Sequence, residues 1–324
     1  MYLKERIKLG SNYFLAILLN RRKPIFIGWE LTRQCNLKCK YCNVWDKIIP
    51  ELNTEEILKL ITILFNKGTR IIRFTGGEPL MRSDISKIIG HCKDLGIVTT
   101  IATNGILLPI RIDEIKRVDR IIISIDGPEE IHDMIRGNGS YQKALRACEV
   151  AKSKSIPISI ATTLTSLNLN CIKHLLVLAN KFKTKVSFQP VTTTILFGVS
   201  PNPLCPSLDE YRKSIIGLMK IKRNSKVIVN SLEGLKYLLH WPNKKAINCV
   251  AGKVFFRLDS EGKMYACPRA EIRNPGFNVL EKGIIHCLKY LSSPHCDYCY
   301  SSALIEMNLI TNFNPCTLIN NIAI

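Results

Sequence analysis

Between residues 25 and 191, runs rich in Ile, Val and Phe alternate about six times with stretches of helical periodicity. "IFIGWEL" (Ile25 to Leu31) reads as a buried strand. "TEEILKLITILFNKG" reads as a helix capped by Thr54 and stopped at Gly68. The pattern repeats through "RIIRFTGGEP", "DISKIIGHCKDLG", "IVTTIATNG", "IDEIKRV", "RIIISIDGP", "SYQKALRACEVAKSKS", "IPISIATTL", "LNCIKHLLVLANKF" and "KVSFQPV". Strictly alternating strands and helices imply parallel strands with helical crossovers, an α/β fold. Nearly every strand runs into a polar or glycine turn: a cysteine loop, Gly76-Gly77-Glu78, Asn104-Gly105 and Asp126-Gly127. In a barrel of this kind those turns share one face, where sites are built.

After about residue 200 the alternation stops. "VSPNPLCPSLDE" carries three prolines and reads as a linker, and a helix is expected near Leu208 to Lys222. A cysteine-bearing segment then fills residues 249 to 299, including "LDSEGKMYAC", which has the form of a hairpin with a Glu-Gly turn. The expected organisation is an N-terminal helical extension (1–24), a barrel (25–200), a helical linker (201–240) and a small C-terminal α+β domain (241–324). Within the extension, Leu9, Tyr13 and Ile17, with Phe14 and Leu18 beside them, follow helical spacing. The apolar run Tyr13 to Leu19 is too short to span a bilayer, which needs roughly 20 residues. A helix packed on the domain is expected, with weak contact to a membrane surface as the alternative.

Thirteen cysteines, an odd number with no signal peptide before them, point to a cytoplasmic protein with metal or redox chemistry rather than a disulfide scaffold. The net charge of +20 allows attraction to an anionic partner. An Ile-, Lys- and Asn-rich composition accounts for it equally simply, since the one dense basic block is Asn20 to Lys23. With no recognition motif for nucleic acid, none is expected as partner.

Cys35, Cys39 and Cys42 lie in "CNLKCKYCNVW". A structural zinc takes four ligands, usually as two close pairs. Here there are three, and the nearest imidazole in sequence is His91. A cubane iron–sulfur cluster held by three thiolates keeps one iron open for another ligand.

This loop resembles that of the radical S-adenosylmethionine enzymes, in which C-x3-C-x2-C follows the first barrel strand with an aromatic residue, here Tyr41, before the last cysteine. "FTGGEPLMR" (Phe74 to Arg82), "TNG" (Thr103 to Gly105) and "SIDGPEEIHDMIRGNGSYQKAL" (Ser124 to Leu145) stand in matching order. The resemblance covers about residues 25 to 190 and implies a partial (β/α)6 TIM-like barrel. It also implies a [4Fe-4S] cluster on Cys35, Cys39 and Cys42 that binds S-adenosylmethionine and cleaves it to a 5′-deoxyadenosyl radical. That radical would take hydrogen from the substrate, with a flavodoxin- or ferredoxin-type partner as external electron donor.

Cofactor contacts are expected at Gly76 and Gly77, whose missing side chains admit the methionine moiety, and at Glu78, a partner for its ammonium group; Pro79 fixes the turn. Asn104 is read as a ribose contact or a plain turn residue. Ser124 and Asp126 face the same mouth, Arg136 contacts a carboxylate of cofactor or protein, and Tyr41 packs on adenine or shields the cluster. No catalytic acid or base is assigned.

Cys249, Cys267, Cys296 and Cys299 form a second set, which by spacing alone suits zinc or a cubane. Their arrangement resembles the twitch domain, the shortened SPASM form, which implies one auxiliary [4Fe-4S] cluster. Cys92, Cys148, Cys171, Cys205, Cys287 and Cys316 are read as structural thiols. An oxidative modification of a peptide or protein is the leading expectation. A small molecule (sugar, cofactor precursor or lipid) is the alternative, and a non-catalytic iron–sulfur or zinc protein the remote one.

Overall fold

The structure, a computed structural model, describes residues 3–46, 49–195, 200–243, 247–267, 275–292, 296 and 298–311. Six strands form where the apolar runs lie: β1 (Phe26–Thr32), β2 (Ile71–Gly76), β3 (Val98–Thr103), β4 (Arg120–Ser124), β5 (Ile158–Leu164) and β6 (Val186–Pro190). Each pairs in parallel with the next. The crossovers carry α2 (Thr54–Asn66), α3 (Ile85–Asp94), α4 (Leu108–Arg111), α5 (Glu129–Arg136), α6 (Ser140–Ser153) and α7 (Ile172–Lys181); α1 (Leu3–Leu18) precedes them all. This is the parallel α/β sheet of a partial barrel.

Strand periodicity divides the sheet into two faces. Ile72, Phe74, Ile101, Ile121, Ile123 and Ile160 sit in the main core with Leu60, Leu64, Ile88, Ala144 and Leu175 from the helices. The alternate positions, Gly28, Arg73, Thr100, Arg120 and Ser124, face the inside of the half-barrel. Its lining is therefore polar where its outer layer is almost wholly apolar.

β6 is followed by α8 (Leu208–Asn224), two residues longer than its expected end at Lys222, and by α9 (Leu232–Leu238), which had no clear sequence signal. Next comes the hairpin expected from "LDSEGKMYAC": β7 (Phe255–Leu258) and β8 (Lys263–Tyr265), antiparallel, with Gly262 at φ +78° in the turn. Asp259 organises that turn by accepting from the Glu261 and Lys263 N–H groups at 3.0 and 2.9 Å. The hairpin continues the barrel sheet. β7 pairs in parallel with β1, and β9 (Phe277–Asn278) completes the order β6-β5-β4-β3-β2-β1-β7-β8-β9. The edge of β1 is thus covered by strand rather than left to solvent. Short helices α10 (Val279–Lys282) and α11 (Ile284–Tyr290) and then α12 (Ser302–Thr311) follow.

The seam between β1 and β7 holds a buried ion triad. Glu30 accepts from Arg33 Nε at 2.9 Å and from Arg257 Nη2 at 2.6 Å, with each residue about 5% exposed. A carboxylate there must be fully paired, because a lone buried charge is far costlier than the pair.

Two local expectations are corrected. The cap of α2 is Asn53, not Thr54: the Asn53 side chain accepts from Glu56 N–H at 3.0 Å, and Glu56 in turn accepts from Asn53 N–H at 2.9 Å. This reciprocal box satisfies two donors, so Thr54 becomes the first helical residue and its hydroxyl donates to Asp84 at 2.8 Å. In α1, Ala16 is buried and Tyr13 and Ile17 half-buried, but Leu18 is 78% exposed and does not share their face. These residues pack on a second small core with Ile25, Val250, Val254, Phe255 and Leu304, and the Tyr13 hydroxyl donates to the Met307 carbonyl at 3.0 Å. Among the described residues no helix is long and apolar enough to cross a membrane.

Replacing Asn53 with Ala removes the capping box. Urea unfolding is expected to register a loss of about 1 kcal/mol with an unchanged m-value.

Candidate functional site

The cysteine loop leaves the end of β1 and is pressed directly onto the end of β2. A Cβ on Gly76 would lie 2.2 Å from the Thr32 carbonyl oxygen, and one on Gly77 would lie 2.1 Å from that of Gln34 and 2.6 Å from that of Arg33. Gly77 N–H donates to Thr32 O at 2.8 Å and Glu78 N–H to Gln34 O at 2.7 Å. Gly76, at φ +139°, also holds a conformation that L side chains rarely adopt. The fold thus supplies a physical reason of its own for both glycines. The space their side chains would fill belongs to this chain's own backbone, where the loop docks.

Glu51 braces the same junction. It accepts from the Thr32 hydroxyl at 2.7 Å and the Arg33 N–H at 2.9 Å, and Arg82 lies 3.6 Å from its other oxygen.

Glu78 is fully buried. Its Oε1 accepts from Leu80 N–H at 3.1 Å and from the Thr103 hydroxyl at 2.8 Å, and its Oε2 accepts from Asn104 N–H at 2.8 Å. One carboxylate therefore joins the ends of β2 and β3. With about four lone-pair sites available, it keeps acceptor capacity for one further donor. Burial, opposed by those three donors, pushes its pKa up to about 7. Pro79 opens a short 3-10 turn at this point. Asn104 forms a turn, its side-chain oxygen accepting from Ile106 N–H at 3.0 Å, and its amide donates to Asn36 of the cysteine loop at 2.7 Å.

The opposite side of the loop meets the end of β4 and α5. Arg136 Nε donates to Asp126 Oδ2 at 2.6 Å, the Tyr41 hydroxyl donates to the same oxygen at 3.1 Å, and Arg136 Nη2 also reaches that hydroxyl. Asp126 Oδ1 accepts from Thr163 N–H at 3.0 Å. The Arg136 partner is thus a protein carboxylate, and Tyr41 links the loop to it. Ser124 ends β4, half-buried on the barrel's inner face. Three residues missed in the sequence hold this group in place. Asn168 donates to the Asp126 carbonyl at 2.8 Å, His132 Nδ1 accepts from Asp126 N–H at 3.2 Å, and Asn202 donates to the Tyr41 carbonyl at 3.4 Å. His132 is held down to about 4, first by burial and then by the Arg136 charge, so it is a neutral acceptor.

Each of the three thiols has a donor aimed at its sulfur. Cys35 faces the Leu37 N–H, Cys42 the Val44 N–H and Cys39 the Arg136 guanidinium. Burial nonetheless pushes Cys35 and Cys42 up to about 11 and raises Cys39. Such sulfurs stay thiols unless a positive centre takes them. With donors in place for the thiolate form, the set fits a cluster that supplies that charge.

The second set comes together from three separate segments. Cys249, Cys267 and Cys296 all lie near enough to Cys299 to raise its pKa further, after burial as the main cause. Cys299 N–H donates to the Tyr237 hydroxyl at 3.1 Å, Tyr237 stacks on Tyr298 at 5.1 Å, and the Asn308 amide approaches Cys249 Sγ at 3.8 Å. Tyr237 and Asn308 come from distant helices and carried no sequence signal. Among the described residues, no three His, Cys, Asp or Glu side chains close on a single metal-ion position. Cys92, Cys148 and Cys287 are buried, as befits structural thiols; Cys316 lies outside the described residues.

Glu78 gives this junction a pH signature. Between its ordinary value of 4.5 and about 7 the folded chain keeps a proton that the unfolded chain has released. The stability it contributes is complete below about pH 4.5 and is lost as pH rises through 7, a change of roughly 3 kcal/mol. In urea titrations of the cluster-free protein, the advantage of wild type over Glu78→Gln is expected to shrink by about that amount from pH 4.5 to 8.

Comparison with known proteins agrees with this geometry. Residues 29–179 match the radical SAM superfamily. The AdoMet-dependent heme synthase of Oleidesulfovibrio alaskensis is 39% identical over 158 residues, 46% of this chain and 40% of that protein, so the chain spans less than half of that relative's length. The AdoMet-dependent heme synthase of Methanosarcina barkeri is 29% identical over 269 residues, 75% of this chain and 76% of that protein. The solved structure of anSMEcpe with bound AdoMet and the Cp18Cys peptide has the same fold, with a TM-score of 0.68 at 18% identity over 82% of this chain and 80% of that one. A three-thiol loop docked on a Gly-Gly-Glu strand end in a half-barrel, with this match, makes the chain a member of the radical SAM superfamily, whose members use a [4Fe-4S] cluster and S-adenosylmethionine.

Proposed function

We propose that this chain is a radical SAM enzyme that oxidatively modifies its substrate, with Cys35, Cys39 and Cys42 holding the cluster that binds S-adenosylmethionine. The observation that carries the reading is the loop itself: three thiols, each faced by a donor, locked by backbone hydrogen bonds to Gly77 and Glu78. With S-adenosylmethionine bound, such a cluster supplies one-electron cleavage of a carbon–sulfur bond and hydrogen-atom abstraction from carbon. The residues do the rest. Glu78 offers its remaining acceptor site to an ammonium group. Arg136 and Tyr41 fix the loop against Asp126 and keep a cation beside Cys39. The apolar layer behind the sheet keeps the strand ends rigid, so the reacting groups are held at one distance. A flavodoxin or ferredoxin is the matching external electron donor.

The second thiol set, Cys249, Cys267, Cys296 and Cys299, is proposed to hold an auxiliary [4Fe-4S] cluster in a twitch-like unit spanning 241–324, after a barrel of 25–200 and a linker of 201–240. The convergence of these cysteines around Cys299 supports it. Held by these four thiols, an auxiliary cluster would supply an electron acceptor, which would suit a net oxidation. Similarity to a heme synthase across three quarters of both chains favours a small-molecule cofactor precursor as substrate. Peptide modification is the second reading, favoured by the shared fold with a structure that holds a peptide.

Anaerobic reconstitution, reduction and chromatography for 5′-deoxyadenosine test the first claim. Cys35→Ala, Cys39→Ala and Cys42→Ala are each expected to abolish the product, whereas Cys267→Ala loses about half the iron and still cleaves S-adenosylmethionine. Full cleavage by the triple variant overturns the assignment of the loop. Turnover of a heme precursor against a peptide panel, read by mass spectrometry, separates the two substrate readings.

A further inference from the structure

The two thiol sets are joined through the segment that follows β6. There the chain returns on itself: Thr194 and Pro201 form an antiparallel bridge, and Ile195 N–H donates to the Ser200 carbonyl at 3.0 Å. Asn202 N–H donates to the Thr193 carbonyl at 2.9 Å, which holds these two residues side by side. Each of them reaches a different thiol set.

Asn202 faces the cysteine loop. It is 3% exposed, and its side-chain oxygen accepts from Leu204 N–H at 3.1 Å. With the oxygen so engaged, the amide nitrogen is turned to the Tyr41 carbonyl, 3.4 Å away. Tyr41 is then held at both ends, since its hydroxyl donates to Asp126 at 3.1 Å, and the next residue is Cys42. Thr193 faces the second set. Its hydroxyl lies 3.1 Å from the hydroxyl of Tyr300, the residue after Cys299. Tyr300 packs edge-on against Tyr298 with centroids 5.4 Å apart. Tyr298 stacks on Tyr237, whose hydroxyl accepts from Cys299 N–H. The rings that fix Cys299 therefore fix Tyr300 as well. Breaking the link at Asn202 would strand a buried amide, so the connection resists being pulled apart.

We propose that Thr193, Asn202 and Tyr300 are positioning residues that brace the cysteine loop against the segment carrying Cys299, and so couple the two thiol sets. What this means for cofactors rests on the reading of both sets as cluster sites. Filling the second set restrains Cys299 and Tyr300, and the brace passes that restraint to Tyr41 and Cys42. Coupling between binding sites is reciprocal, so an occupied cysteine loop favours filling of the second set by the same factor.

The test holds the reconstituted full chain with a ferrous chelator and iodoacetamide and follows alkylation of each cysteine peptide by mass spectrometry. Tyr300→Phe and Thr193→Val each remove one hydroxyl at nearly constant shape. Both are expected to speed alkylation of Cys39 and Cys42 about three- to tenfold, the worth of one hydrogen bond, with no change at the core thiol Cys92. Thr193→Ser, which keeps the hydroxyl, should match wild type. The double variant Thr193→Val with Tyr300→Phe should be no faster than either single one, because both break the same link. In the reverse direction, Asn202→Asp, which sets an acceptor against the Tyr41 carbonyl, should speed alkylation of Cys299. Unchanged rates at Cys39 and Cys42 in the single variants, additive effects in the double variant, or an equal rise at Cys92 overturns the proposal. S-adenosylmethionine cleavage by wild type is measured in parallel. Its absence refutes the proposed function, while the comparison of alkylation rates still judges the brace.

Discussion

The contact on which this molecule turns is between main chains. Three carbonyls of the segment leaving β1, those of Thr32, Arg33 and Gln34, press into the space that side chains at Gly76 and Gly77 would occupy. That approach allows two backbone hydrogen bonds to tie the cysteine loop to the end of β2. From there Glu78 carries the constraint sideways into β3 through Thr103 and Asn104, and Asn36 returns it to the loop. The loop is therefore fixed by strand ends rather than by its own sequence. This suits a site whose ligands must hold their positions before the cofactor arrives.

The polar architecture near the site relies on paired charge, with Glu78 held instead by three neutral donors. Buried charge near the site is paired: Glu30 with two arginines, Arg136 with Asp126 and the Tyr41 hydroxyl. Such pairs contribute little net stability, yet breaking one leaves a naked ion, at a cost of roughly 3–5 kcal/mol. They are better understood as devices that allow one arrangement only.

Most of the frame was legible in the sequence because its signal is periodic. A strand such as "RIIISI" and a helix such as "TEEILKLITILF" declare themselves by which positions are apolar. The three loop cysteines, the Gly-Gly-Glu turn and the hairpin at Glu261-Gly262 were equally plain, since short motifs are local. What escaped was non-local. Nothing in "YLL" marks Tyr237 as an acceptor for Cys299 N–H, and nothing near residue 168 marks Asn168 as the bracket of Asp126. The cap of α2 was misplaced by one residue because Asn53 and Thr54 are both good capping residues, and only the reciprocal bond from Glu56 decides between them. The docking of the Thr32–Gln34 carbonyls on the glycines escaped for a similar cause: a missing side chain reveals that something comes close, but not what.

The pairing of β7 with β1 has a consequence for how the chain is made. β1 precedes β2 to β6 in the chain, yet the neighbour that covers its outer edge, Phe255–Leu258, is made only after all of them. At ordinary translation rates that delay is on the order of ten seconds or more, during which a strand of largely apolar composition offers free N–H and C=O groups to any passing chain. Safe biogenesis of this protein thus depends on whatever shelters a nascent edge until the strand that covers it has been made.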